Sequence, residues 1–548
     1  MRPRSEASRE LESQVFDVCV IGGGATGAGC ALDAQLRGFK TALVEAGDFG
    51  SATSSTSTKL AHGGVRYLQQ AVTQFDFAQL HIVRQALRER KRMLENAPHL
   101  ARCCDFLVPC FSRWDCWYYG LGLRIYDGLA GPAALGRSRR LSRRETLVRM
   151  PELRGDALHG SVVYQDGQFD DARYCLALVK SFSGAAGAAT NYVKVVGFEK
   201  GADGKLAAAL ARDAFSGAQT TIRARAFVNA TGPFSDSLRS LANPSAEPRL
   251  ILSKGAHILL PLEREQPALL IPRTEDGRVI FALPWMGRLL LGTTDERVAH
   301  PDGVSVTRQD AEYLLSHLNR YCRREYALSE IVGAFAGVRP LLGSAHGRST
   351  KDLVREHEIE IDSTSGLISI LGGKWTSYRV MAEGAIDRVQ EKLGKPGACR
   401  TRDYRLAGGE AFGTDLWQEV ARDAGLPEAT ARRITNTLGT EAKAILSLIG
   451  EHPEWRTPLT PDASRIQAEV IHCARSEMAV TVEDVLARRL GLQFIDWELA
   501  MQAAAPTAEL LGAELGWPIE QRKRAAQEFV ARVQQQITTV RAEAAANG

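Results

Sequence analysis

The stretch 15–45, VFDVCVIGGGATGAGCALDAQLRGFKTALVE, decides the fold. Its apolar run Val15–Ile21, broken only by Asp17, reads as a buried parallel strand. Gly22, Gly24 and Gly27 then form a GxGxxG turn that opens a helix over 25–37. Small residues in that helix (Ala25, Gly27, Ala28, Gly29, Ala31) allow close packing on a sheet. Gly38 is placed to end the helix, and Thr41–Val44 reads as the next strand. Glu45 closes that strand 18 residues beyond Gly27, near the roughly 20-residue offset at which an acid meets a dinucleotide's ribose hydroxyls. A bare glycine turn in an ordinary βαβ unit is the alternative. Strand, helix and terminal acid together favour a bound dinucleotide.

Around this unit, 548 residues at about 150 per domain imply three or four structural units. The 45% hydrophobic and 24% charged content is that of an ordinary globular chain. Sixty-eight basic against 64 acidic residues leave +4, which argues against nucleic acid as a partner and still permits a local site for a small anion. The ten cysteines contain no CxxC pair, so no metal site is expected and reduced thiols in a cytosolic compartment are. No run of 18 apolar residues occurs. Residues 1–14 have early arginines without an apolar core and read as a disordered lead-in.

Beyond Glu45 lies GDFGSATSSTSTKLAHGGVRYL, too polar for a core element and suited to wrapping a ligand through Ser51 and the hydroxyls of residues 53–58. A flexible serine-rich loop is the alternative. Residues 75–95 carry the period of a long surface helix. Between 107 and 144, the aromatics Phe111, Trp114, Trp117, Tyr118, Tyr119 and Tyr126 precede the basic run GRSRRLSRRE, which suits an anionic lipid surface or, alternatively, a core edge with a solvated loop. Asn229-Ala230-Thr231-Gly232 ends a strand in a second close approach to a nucleotide, and short strands between 251 and 292 form an antiparallel sheet able to roof a site. The glycine-rich pieces 333–343 and 371–379 are expected to return the chain to the nucleotide fold. From about Gly408 the sequence is helical, with a capping box at Thr481 to Asp484 and Pro518 opening a last helix.

Taken in order, GGGATGAGCALDA, ATSSTSTKLAHGGVRYL, NATGPF, LGTTDE, GVRP and LGGKWTSYR resemble the FAD-dependent glycerol-3-phosphate dehydrogenases of respiratory chains, which share the D-amino-acid-oxidase-like flavoprotein fold. The likeness is close over 15–390 and looser through Glu477, Met478 and 484–489. It implies an α/β protein with a Rossmann-type FAD-binding domain (15–95, 160–240, 331–395). An antiparallel-sheet substrate domain (96–159, 241–330) and a C-terminal helical domain (405–548) complete it. By the same likeness, Gly22, Gly24, Gly27, Glu45, Ser54, Thr58, Lys59, Leu60, Thr231, Gly232, Gly373 and Thr376 hold FAD, Thr376 having a helix cap as its alternative role. For substrate, the resemblance puts Arg66, Arg339 and Lys374 at anion-binding positions, as a phosphate dianion calls for several cationic donors; Tyr67 and Thr294 add hydroxyls, and Asp295 completes the expected set with the cap of a turn as its alternative role.

The expected reaction oxidises sn-glycerol 3-phosphate to dihydroxyacetone phosphate by hydride transfer to FAD. Electrons then pass to a membrane quinone or, alternatively, to oxygen in a peroxide-forming oxidase. His62 is the first choice of base and His257 the second, with Asp295 placed to orient either. The composition of the aromatic and basic stretch leads to an expectation of peripheral attachment at the cytoplasmic side of the inner membrane, with the cytoplasm as the wider location, and a homodimer is compatible with the reading.

Overall fold

A computed structural model describes residues 1–64, 77–272, 274–275, 277–343 and 357–541. The opening βαβ unit forms as its pattern dictates: strand Val15–Ile21, helix Ala25–Leu36 and strand Thr41–Val44. The strands are buried on both faces, which a parallel sheet requires, because its crossover helices cover it front and back. Gln219–Asn229 lies parallel on one side of Val15–Ile21 and Thr41–Val44 on the other. Ile368–Gly372 and Ala188–Thr190 extend the sheet outward, also parallel, and His357–Ile361 closes one edge antiparallel. The hairpin Val193–Lys200 and Leu206–Asp213, signalled by Gly201 to Gly204, completes its eight strands. Helices Ala25–Leu36, Asp171–Gly184 and Tyr378–Leu393 pack together in one core, where Ala28, Tyr174 and Tyr378 meet.

A second, ten-stranded sheet carries the remaining strands. Its spine is the long strand Leu250–Pro261, flanked by Gly333–Leu342 on one side and by Arg288–Gly292 with Glu296–Val298 on the other. Ile280–Trp285 and Ala268–Ile271 continue it to Ala101–Cys110, Gly160–Phe169 and Leu60–Ala61. Two sequence expectations are corrected here. Gly333–Leu342 does not return to the nucleotide sheet, since it pairs along its whole length with Leu250–Pro261. Likewise Gly160–Phe169 pairs with Ala101–Cys110 rather than joining the parallel sheet. Local apolar content marks a strand, whereas the choice of sheet depends on partners remote in sequence.

The N-terminal segment is also corrected. Residues Arg4–Ser13 form a helix that buries Ala7 and Leu11, and Arg4 donates through Nε to Asn191 O at 3.1 Å. Two apolar residues four apart on an otherwise polar segment escaped the composition test.

The C-terminal part is helical, with its own core around Val420, Ile434 and Ile445. Its last two long helices, Trp497–Glu514 and Ile519–Arg541, pack on the second sheet, where Gln536 Nε2 donates to Ala334 O at 2.8 Å. All ten cysteines are free thiols.

Candidate active site

A cleft of about 1020 Å³ opens where the two sheets meet, bordered by Gly22, Gly24, Glu45, Ser54, Thr231, Gly232, Gly373 and Lys374, with Val338 and Pro340 from the second sheet. That volume matches the upper end of the roughly 300–1,000 Å³ range of small-molecule sites. The glycine turn is made by contact. Gly22 sits at φ +109°, and a Cβ there would fall 2.6 Å from Ala230 O. At Gly27 a Cβ would fall 1.8 Å from Gly22 O, so any side chain would push the helix off the strand end. Gly27 therefore serves the cleft from beneath, and its own surface does not border it.

Glu45 reaches across the turn. Its Oε2 accepts from Gly23 N at 2.6 Å and its Oε1 from Gly47 N at 2.8 Å. Burial pushes its carboxyl above the usual range, and the Gly47 and Gly23 amides pull it back. Ser54 Oγ accepts from Ala25 N at 2.9 Å, so a loop side chain caps the first turn of helix Ala25–Leu36.

The serine-rich loop is fastened on three sides. Thr53 Oγ1 donates to Val338 O at 2.6 Å, and Trp375 Nε1 donates to Ser54 O at 2.9 Å. Asp171 Oδ2 accepts from Ser57 N at 2.9 Å. Thr53 is one of the loop hydroxyls read from the sequence, and Trp375 lies inside a quoted motif without having been singled out. Asp171 had no signal, because its partner is 114 residues away.

Lys59 departs from its expected place. Its fully buried ammonium pairs with Asp171 Oδ1 at 2.5 Å, donates to Ser55 O at 2.6 Å and lies 4.7–5.3 Å from the rings of Phe335, Trp285 and Phe494. The side chain thus anchors the loop from behind and does not border the cleft. Leu60 is likewise in the core, paired with Gln168. Thr376 is buried in the short turn Trp375–Ser377 beneath the glycines.

Three of the expected substrate residues, Thr294, Asp295 and Arg339, lie at the second sheet, while Lys374 follows strand Ile368–Gly372 of the first. Arg339 lies in strand Gly333–Leu342; unlike its neighbours Val338 and Pro340 it does not line the cleft, and it donates through Nη2 to Thr293 Oγ1 at 2.9 Å and through Nη1 to Thr294 O at 3.3 Å. Its guanidinium packs over Gly255, where a Cβ would fall 2.2 Å from Nη2. Asp295 accepts from Ser253 Oγ and stands 3.8 Å from Arg339 Nη1. It therefore orients the arginine; neither histidine is among its hydrogen-bond partners. Thr294 Oγ1 accepts from Ala256 N at 2.9 Å, which commits that hydroxyl to the sheet.

His257 is buried, stacks on Phe335 at 4.8 Å and shares a 2.9 Å hydrogen bond between Nε2 and Thr58 Oγ1. Burial, then the charges of Arg339 and Lys59, hold its pKa well below the ordinary value. The ring stays neutral and positions Thr58. His62 follows the short strand Leu60–Ala61, half-buried, with its ring 6.5 Å from that of Phe281. Arg66 and Tyr67 lie outside the described residues.

Comparison with known proteins bears on the family and the fold. Residues 17–379 match the family of FAD-dependent oxidoreductases, and residues 399–522 match the C-terminal domain of alpha-glycerophosphate oxidase. The human mitochondrial glycerol-3-phosphate dehydrogenase is 40% identical over 534 residues, covering 94% of this chain and 73% of that protein. The chain belongs to the FAD-dependent glycerol-3-phosphate dehydrogenase family. A probable mitochondrial glycerol-3-phosphate dehydrogenase of Caenorhabditis elegans is also 40% identical, over 92% of this chain and 71% of that protein. The glycerol-3-phosphate dehydrogenase of Bacillus halodurans, solved in complex with FAD, superposes with a TM-score of 0.79 at 30% identity, covering 98% of this chain and 97% of that one.

The cofactor of this dehydrogenase family is FAD, and the cleft suits it. A glycine turn that admits no side chain leaves backbone amides and a helix N-terminus for a diphosphate. A half-buried acid at the end of the second strand, bordering the cleft, suits ribose hydroxyls.

Proposed function

We propose that this enzyme oxidises sn-glycerol 3-phosphate to dihydroxyacetone phosphate at the cleft, with a membrane quinone as the final electron acceptor. Bound FAD supplies the hydride-accepting centre. The reading is supported by Lys374, which borders the cleft that the glycine turns define, and by Arg339, which lies on the adjoining strand Gly333–Leu342 one position from two cleft residues without lining the cleft itself. Two cations with several donors suit a phosphate dianion, and the Thr293 and Asp295 contacts hold the arginine's planar fork in one orientation. Arg66 and Tyr67 are part of the same proposal on motif grounds.

His62 is the proposed base for the substrate hydroxyl, because its ring is half-exposed while that of His257 is buried and engaged with Thr58. His257 is assigned the positioning of Thr58. Glu45, Ser54, Thr58, Thr231, Gly232, Gly373 and Thr376 are assigned to the cofactor directly or through the turns that carry them.

Attachment to an anionic bilayer is supported by helix Arg113–Ala130. It exposes Trp114, Trp117, Tyr118 and Leu121, the two indoles being stacked at 5.0 Å. Arg137, Arg139, Arg140, Arg143 and Arg144 are all exposed beside it, and Arg140 Nη2 reaches Trp117 O at 3.5 Å. Among the described residues no helix is long and apolar enough to cross a membrane, so this face offers interfacial contact. The proposed location is the cytoplasmic side of the inner membrane.

Anaerobic mixing of the holoenzyme tests the substrate. Glycerol 3-phosphate should bleach the flavin absorbance and amino acids should not; the reverse would overturn the assignment. In air, stoichiometric peroxide with no response to added quinone would replace the quinone by oxygen.

A further inference from the structure

Asp48, three residues past Glu45, has no part in the proposed chemistry and is 1% exposed. Its carboxylate accepts from Arg488 Nε at 2.5 Å, from both terminal nitrogens of Arg489 (Nη2 at 2.9 Å) and from Asn191 Nδ2 at 3.3 Å. Both arginines come from the wide helical turn Asp484–Arg489 of the C-terminal domain, and Arg489 is itself buried. That turn is fixed in its own right. Arg488 donates to Asp484 Oδ1 at 2.7 Å, Arg489 Nη2 donates to Glu477 O at 2.8 Å, and Tyr192 Oη donates to Asp484 at 2.6 Å. Glu477 in turn receives both terminal nitrogens of Arg173 at 2.6 and 2.8 Å.

Among the described residues, those lining the cleft fall between Ile21 and Met381. The C-terminal domain reaches the cofactor site through the 45–50 loop, by way of Asp48, and also touches the serine-rich loop from behind where Phe494 meets Lys59. Within that loop Gly47 N donates to Glu45, Ser51 N donates to Asp48 O at 3.0 Å, and Gly50 N donates to Gly23 O at 3.0 Å. Moving Asp48 would pull on the acid and on the glycine turn together. Two guanidiniums against the carboxylates of Asp48 and Asp484 make the cluster neutral as a set, and removing one partner leaves a buried charge uncompensated.

We propose that the C-terminal domain is a cofactor clamp, in which Arg489 acts as a positioning residue that holds the Glu45 loop in its FAD-binding shape through Asp48. FAD affinity and docking of this domain are then linked, and each strengthens the other. The proposal does not depend on the substrate or the electron acceptor.

The test uses the full chain, stripped of and reconstituted with FAD. Arg489→Met should raise the FAD dissociation constant at least tenfold, with kcat restored by excess FAD and the substrate KM unchanged. Arg489→Lys should recover part of the loss. Arg433→Gln, which breaks the Arg433–Glu469 pair inside the same domain, should leave FAD affinity within twofold. Equal affinity in Arg489→Met and the parent, or an equal loss in Arg433→Gln, would overturn the clamp. Should Arg489→Met fail to fold, hydrogen exchange on the parent decides. FAD should slow amide exchange across 477–490, and unchanged exchange there would refute the linkage.

Discussion

Arg339 illustrates how one residue's role depends on its holders. Thr293 and Thr294 take its terminal nitrogens while Asp295 stands behind, so the fork is fixed before any anion arrives. Replacing it by lysine keeps the charge and loses the fork. The expected outcome is a rise in KM for glycerol 3-phosphate of roughly ten- to a hundredfold with unchanged FAD content, measured by steady-state kinetics and flavin absorbance. An unchanged KM would remove Arg339 from phosphate binding. Arg339 was singled out through the GVRP motif and Glu45 through its spacing from Gly27. Asp171 and Asp48 were not, because a buried acid in sequence looks like any other acid until its cations are brought from 112 and 440 residues away. Lys59 was misplaced for the same reason. Its motif marks the loop, but which way the ammonium turns is decided by Asp171 and three aromatic rings.

At the scale of elements, the first helix and its turn form one unit. Gly27→Ala places a methyl 1.8 Å from Gly22 O, a backbone atom that cannot swing aside. We expect loss of bound FAD and a fall in stability of at least about 2 kcal/mol, read from flavin retention and thermal melting. Gly38→Ala makes a useful contrast, since no heavy atom lies within 4 Å of its Cβ and only its φ of +86° is strained. Its cost should be about 1 kcal/mol with FAD retained. The helix Arg113–Ala130 with its arginine-rich neighbours is a second such unit. Changing Arg137, Arg139, Arg140, Arg143 and Arg144 to glutamine should release the protein from anionic vesicles without altering flavin reduction by substrate. Unchanged co-sedimentation would exclude that face. The glycine turn and its small residues revealed the first helix, whereas 113–130 was read only as an aromatic stretch before a basic run; the stretch 333–343 shows a further limit, since a glycine-rich strand reads alike in either sheet until its ten partners along Leu250–Pro261 are known.

For the whole molecule, stability should fall on mild acidification. Burial, then the charges of Arg173 and Lys180, push His99 down to about 3, and His257 is also held far below its ordinary value. In the unfolded chain both titrate near 6.5, so between that pH and about 3 the unfolded state binds protons that the native state refuses. Their contribution is complete above pH 6.5 and is lost below it, at up to roughly 1.4 kcal/mol per pH unit for each ring. Urea midpoints taken between pH 7.5 and 5 should decline, and His99→Gln should decline less. Equal slopes would exclude His99. What the sequence by itself determined was the dinucleotide unit, the order of motifs and the helical tail, since strand, turn and helix propensities act over a few residues. What only the tertiary structure decided was which sheet each later strand joined, which way Lys59 and Asp295 faced, and that the C-terminal domain grips the cofactor loop through Asp48. Those outcomes rest on burying charge against charge and strand against strand across hundreds of residues, where a local pattern carries no information about its partner.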